Sequence, residues 1–204
     1  MRIVANIVSV IFHPLLLTSY LVLLLGYYFP SLFMITMNRL LIILAFIFCF
    51  TFILPVVNII MFRMFGTINS YTMVSRQERI IPFVAISLIY VVMTFMFFYK
   101  LPISRSLNLL MLIVSLLVIS ATLLTFFYKV SVHSLAIWGA IGILMPLNKA
   151  LEQSYLLWPT AMAIIIAGLV MSSRLYLNAH SPRQVLFGSL AGFAIGFFGV
   201  ILLF

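Results

Sequence analysis

Long apolar runs separated by short polar stretches fill the chain from end to end. A run of about 20 apolar residues is what an α-helix needs to cross the hydrocarbon core of a bilayer, and the pattern predicts about six to seven such helices. The first segment covers about residues 3–29 and is interrupted at His13-Pro14. Proline breaks or kinks a helix there, so the segment reads either as a kinked span or as an interfacial helix followed by one span. A second span is expected at about 40–65, with Pro55 and Asn58 inside it, and two more at about 82–99 and 106–127. A fifth apolar segment opens after Lys129–Ser134 and runs to about 147. A sixth covers about 155–172 and a seventh about 182–204. Tyr27-Tyr28-Phe29, Phe97-Phe98-Tyr99 and Phe126-Phe127-Tyr128 close three of these runs as interfacial aromatic belts.

Composition settles the class. The 204 residues are 66% hydrophobic and 6% charged, with a mean hydropathy of +1.36. This predicts an all-α, polytopic transmembrane bundle folded as a single integral-membrane domain over 1–204, not a soluble core. The net charge of +9 arises from eleven Lys and Arg against two acids, Glu78 and Glu152, with no Asp. A magnesium site or a two-metal phosphatase needs several carboxylates, so no metal and no cofactor is expected. The basic residues are scattered among helix ends, which favours anionic lipid over nucleic acid as the partner. The lone Cys49 lies in an apolar run and offers no disulfide within the chain. No signal-cleavage site follows the first run, which is read as retained.

The polar stretches carry the candidate chemistry. Arg76, Glu78 and Arg79 follow the second span, Lys129, Ser131 and His133 the fourth, and Arg174 and His180 the sixth. Each set comes after an even number of crossings, so all three fall on one side of the membrane, as one assembled site requires. Ionisable groups at membrane level are costly and start as a functional hypothesis. Ser181 is a good N-cap, Pro182 suits the first helical position and Gln184 stands where a capping box takes Glu or Gln. A helix is therefore expected to start at Ser181, with its free N–H groups and positive dipole end facing His180 and forming a ready anion site. Gly188, Gly192 and Gly196 recur every four residues along it, a spacing that lets another helix approach closely. Ser131 is a second expected N-cap, with His133 in the first turn behind it. His13 reads as a helix-end histidine near headgroups.

The segment Ser173-Arg174, five residues, His180, three residues and then a polar Gln184 resembles the third motif of the type 2 phosphatidic acid phosphatase superfamily. Gly188 matches it as well. Ser131 and His133 are similar to the second motif, with Val130 and Val132 at its usual Pro and Gly positions. Arg79 and a displaced Pro82 echo the first motif, with Arg76 in the place of its Lys. The resemblance covers about residues 70–204, with two spans between the first and second motifs, as in a divergent bacterial membrane branch.

The resemblance implies a metal-independent phosphoryl transfer. His180 would be the nucleophile, forming a phosphohistidine, and His133 the general acid. Arg174, Arg79, Arg76 and Lys129 would neutralise the phosphoryl oxygens, with N–H groups near Ser131 assisting. The family usually has Asp where Gln184 stands, and an amide orients a histidine without supplying charge. Three readings follow: a slow enzyme, a charge supplied by Glu78 instead, or a site that binds phosphate without hydrolysing it. The function expected is that of a lipid phosphatase acting on a lipid phosphate or diphosphate of polyprenyl, phosphatidate or lipid A type. The alternative is a catalytically weakened phospholipid-headgroup binding or transport protein. The basic residues number seven on the proposed site's side against four on the other, which would place the site in the cytoplasm. Without the four proposed phosphate ligands the count is three against four, and the resemblance to enzymes of exported lipids favours the periplasmic face of an inner membrane.

Overall fold

A computed structural model describes residues 1–101, 103–150 and 155–204. The described residues are 82% helical, with no strand among them. Among the described residues five helices are long and apolar enough to cross a membrane, and a sixth candidate is a bent pair. The all-α bundle expected from the hydropathy pattern is therefore the architecture found.

The bent pair is the first segment. Helix α1 (Arg2–Ile11) and helix α2 (Pro14–Tyr28) meet at 57°. Pro14 has no N–H to continue the first helix, and the residue before a proline is pushed out of the α region. His13 accordingly takes an extended conformation, φ −65° and ψ 138°, and caps α2 by accepting the Leu15 N–H at Nδ1 (3.4 Å). A short helix α3 (Pro30–Phe33) then leads into the second span.

That span is continuous from Met37 to Met64, but not uniform. Helix α4 (Met37–Phe48) widens into a π-helical turn at Cys49–Ile53 before helix α5 (Leu54–Met64). Pro55 explains the turn, because it cannot donate to the carbonyl four residues back and its ring crowds that carbonyl. The released carbonyl belongs to Thr51, and the hydroxyl of the buried Tyr90 donates to it (3.3 Å).

Helix α6 (Gln77–Tyr99) begins five residues before the expected start, with Pro82 inside it. Arg79 therefore stands on a helix and not in a loop. Helix α7 (Arg105–Phe127) packs on α6 through the hydroxyl pairs Ser87–Thr122 and Thr94–Ser115, each at 2.6 Å. Helix α8 (Val132–Ala150) lies inside the bundle, while helix α9 (Leu157–Tyr176) and helix α10 (Pro182–Leu203) complete it. Lys149 stands in the last turn of α8, and Glu152 of the same predicted loop lies outside the described residues.

The glycine stripe does what its spacing predicts. A Cβ at Gly188 would lie 2.7 Å from the Ser131 carbonyl oxygen, at Gly192 2.0 Å from that of Leu135, and at Gly196 2.3 Å from that of Gly139. The acceptors also recur every four residues, so the two backbones run in contact along matched faces. This contact sets α10 against α8 and brings the starts of both helices to one end of the bundle.

Candidate active site

The link between α9 and α10 is short and built from two recognisable caps. Asn178 takes a left-handed conformation (φ 52°). The Asn178 N–H donates to the Leu175 carbonyl (2.9 Å) and the Ala179 N–H to the Arg174 carbonyl (3.1 Å). This is the Schellman closure of a helix C-terminus, and it fixes Arg174 in the last turn of α9, where a cation suits the dipole. Two residues later Ser181 opens α10 with a full capping box: Ser181 Oγ accepts the Gln184 N–H (3.4 Å) and Gln184 Oε1 accepts the Ser181 N–H (3.3 Å). His180 is held between the two caps.

The capping box also sets the histidine's chemistry. Gln184 Oε1 lies 3.0 Å from His180 Nδ1. The same oxygen accepts a backbone N–H, which fixes which end of the amide faces His180. An acceptor oxygen then requires a proton on Nδ1 and leaves Nε2 with its lone pair. Gln184 thus caps α10 and orients His180 with one atom.

His180 is 8% exposed. Burial, followed by the charges of Arg79, Arg174 and Lys129, lowers its pKa to about 4, against the opposing pull of the Gln184 bond. The ring is neutral at neutral pH. Lys129, just outside α7, is likewise held below its ordinary range, by burial first and then by Arg79 and Arg174.

Arg79, His133, Arg174 and His180 line one cavity of about 510 Å³. The polar groups come from the starts of α6, α8 and α10 and the end of α9. Two features mark the polar part as a place for an anion. Arg79 Nε donates to the Met73 carbonyl (2.8 Å), which aims the guanidinium. Arg174 Nε is buried without a partner. Among the described residues neither guanidinium is paired with a carboxylate. Elsewhere the lining is mainly apolar, running past Leu21, Ile86, Tyr90, Val114 and Ile143 between α2, α6, α7 and α8.

The other expected ligands stand differently. Ser131 caps α8, its Oγ accepting the Ser134 N–H (3.4 Å) and hydroxyl (2.9 Å). Its own N–H donates to the Gln184 carbonyl (3.2 Å) and so ties the start of α8 to the first turn of α10. Arg76 donates to the Phe126 carbonyl and does not line the cavity. Lys129 does not line it either, although its charge is felt there. Glu78 accepts from Asn69 Nδ2 (2.7 Å) and also stands outside the lining, so the charge that Gln184 lacks is not supplied by it in this structure. Among the described residues no three His, Cys, Asp or Glu are grouped as metal ligands.

His13 and Ser9 join this lining. His133 Nε2 lies 3.1 Å from the Ser9 carbonyl, and the rings of His13 and His133 meet edge-on at 5.3 Å. All three histidines of the chain therefore face one cavity. The available signal was a histidine at a break in an apolar run, in a chain with only three.

The family model of the PAP2 superfamily matches residues 124–204, so this part of the chain is similar to that superfamily. The match spans α8 to α10 with His133, Arg174 and His180, and leaves out Arg76 and Arg79. Proteins of that superfamily are typically phosphatases that act on lipids. No curated protein and no solved structure matches the chain.

Proposed function

We propose that this protein is an integral-membrane phosphatase that hydrolyses a lipid phosphate or diphosphate through a phosphohistidine at His180, without a metal. The observation that carries the reading is the shared cavity: a histidine with a free Nε2, a second histidine and two carboxylate-free guanidiniums meet at the polar end of an apolar pocket.

The chemistry follows from the atoms. His180 Nε2 attacks phosphorus and the bond to the leaving oxygen breaks. His133, as imidazolium, passes its proton to that oxygen. The Ser9 carbonyl can only accept, so it occupies Nε2–H of His133 and leaves Nδ1 as the working atom. Water then attacks the phosphoenzyme, neutral His133 takes its proton, the N–P bond breaks and His180 is restored. Arg79 and Arg174 neutralise the phosphoryl oxygens by charge-assisted hydrogen bonds, with Lys129 as a longer-range charge. The bonds of Arg76 and Ser131 support positioning roles and not direct ligation. Gln184 holds the tautomer but adds no charge to the imidazolium that forms, which suits a slow enzyme. The apolar cavity accommodates a substrate tail at membrane level.

The test is phosphate release from polyprenyl, phosphatidate-type and lipid A substrates in detergent containing EDTA. Turnover in EDTA that is lost in His180→Ala supports the reading. Binding of lipid phosphate with no release from any substrate would replace it with a headgroup-binding protein.

A further inference from the structure

We infer that His13, in the break between α1 and α2, is a positioning residue for the general acid His133, so that the N-terminal broken helix completes a catalytic centre otherwise built from α6 to α10. The inference rests on the phosphatase reading above. It concerns a part of the chain far outside the family match at residues 124–204.

Two contacts from this segment grip the His133 ring. The Ser9 carbonyl, near the end of α1, accepts from Nε2 at 3.1 Å. The His13 ring stands edge-on to it at 5.3 Å, with an interplanar angle of 83°. His13 is itself held, because its Nδ1 accepts the Leu15 N–H as the cap of α2. An acceptor at Nδ1 places the proton of the neutral ring on Nε2. A hydrogen bond fixes one edge of an imidazole, but the ring can still rock about it. The perpendicular His13 ring removes that freedom and directs His133 Nδ1. Ser9 also lines the cavity, and its hydroxyl is buried without a partner.

In-line displacement puts the leaving oxygen on the side of phosphorus away from His180. The group that protonates it is His133, so the leaving group lies toward the α1–α2 break. Leu17 and Leu21 of α2 continue the cavity from there. The segment therefore faces the departing half of the substrate, and its influence is exerted on bond cleavage with proton transfer.

A merely structural role and this one part company on leaving-group dependence. A poor leaving group, such as the alkoxide of a lipid alcohol, needs a proton as it departs, whereas a nitrophenolate does not. The experiment measures kcat and KM of wild type, His13→Asn and His13→Phe on a long-chain alkyl phosphate and on 4-nitrophenyl phosphate. Asn is itself a good N-cap, so His13→Asn keeps the start of α2 and removes only the ring. Its kcat/KM on the alkyl phosphate, which reports the steps up to departure of the leaving group and not the later water attack, is expected to fall by about 10²-fold, while kcat/KM on 4-nitrophenyl phosphate stays within about twofold of wild type. His13→Phe restores a ring edge without the cap and should recover part of the loss on the alkyl phosphate. Equal losses on both substrates, or none in His13→Asn, would overturn the inference while leaving the phosphatase reading intact. Absence of wild-type turnover on both substrates would overturn that reading, and the inference with it.

Discussion

At the scale of single residues, one amide oxygen does two jobs. Gln184 Oε1 serves the Ser181 N–H and His180 Nδ1 together, so the residue that caps α10 also sets the tautomer of the proposed nucleophile. With the His180 pKa near 4, the neutral nucleophile persists well below the usual histidine range. The acid limb of kcat/KM, which reports the free enzyme, should therefore fall as pH drops through about 4 and not through 6.5. Gln184→Glu keeps the acceptor and its length and adds a negative charge beside Nδ1–H. An opposite charge favours the protonated ring, so that limb should move upward and the phosphorylation step should quicken. An unchanged profile would reduce Gln184 to a helix cap. Arg174 supports a second prediction. Its buried Nε has no partner, and a hydrogen bond to a charged group contributes about 1.5–3 kcal/mol. Arg174→Ala should weaken inhibition by vanadate, a phosphoryl mimic, about tenfold or more. Equal inhibition of variant and wild type would place the anion elsewhere.

At the scale of elements, the contact of α8 with α10 assembles the site. Ser131 N–H and the Gln184 carbonyl join the helix starts, and the glycine stripe holds the axes together behind them. Gly192→Ala would drive a methyl to 2.0 Å from the Leu135 oxygen. Because that atom is backbone, the helices must separate, at a cost of about 1–3 kcal/mol by the usual penalty for overpacking. Thermal unfolding in detergent should show the loss, and activity should fall with it. Gly168 in α9 has nothing within 4 Å of its would-be Cβ, so Gly168→Ala should leave both unchanged. A matching loss in the two variants would remove the close approach as the cause. The stripe was legible in sequence because spacing alone encodes it, as were the Ser181 capping box and the break at His13-Pro14. The upstream start of α6 was not, since Pro82 reads as a boundary while the helix in fact carries it internally. Nor were the bonds of Arg76 to Phe126 and of Ser131 to Gln184, which depend on partners 50 residues or more away.

At the scale of the whole molecule, hydropathy predicted the bundle, and counting crossings predicted that three polar stretches would share one end of it. Arg79, His133, Arg174 and His180 do line one cavity. His13 escaped that reading because its partner is 120 positions away, and nothing local distinguishes it from an interfacial histidine. In the proposed mechanism Arg79 and Arg174 take the charge-neutralising part that a metal plays elsewhere. If this assembly transfers a phosphoryl group to His180, a phosphorylated intermediate can be trapped. The measurement is mass spectrometry of the protein quenched during turnover of a lipid phosphate in EDTA, with peptides kept at alkaline pH to preserve an acid-labile phosphoramidate. One phosphate is expected on His180, absent from His180→Ala and accumulating to a higher level in His133→Ala with an aryl phosphate, because water attack then lacks its base. Phosphate release with no phosphorylated His180 at any quench time, or phosphate on another residue, would contradict it.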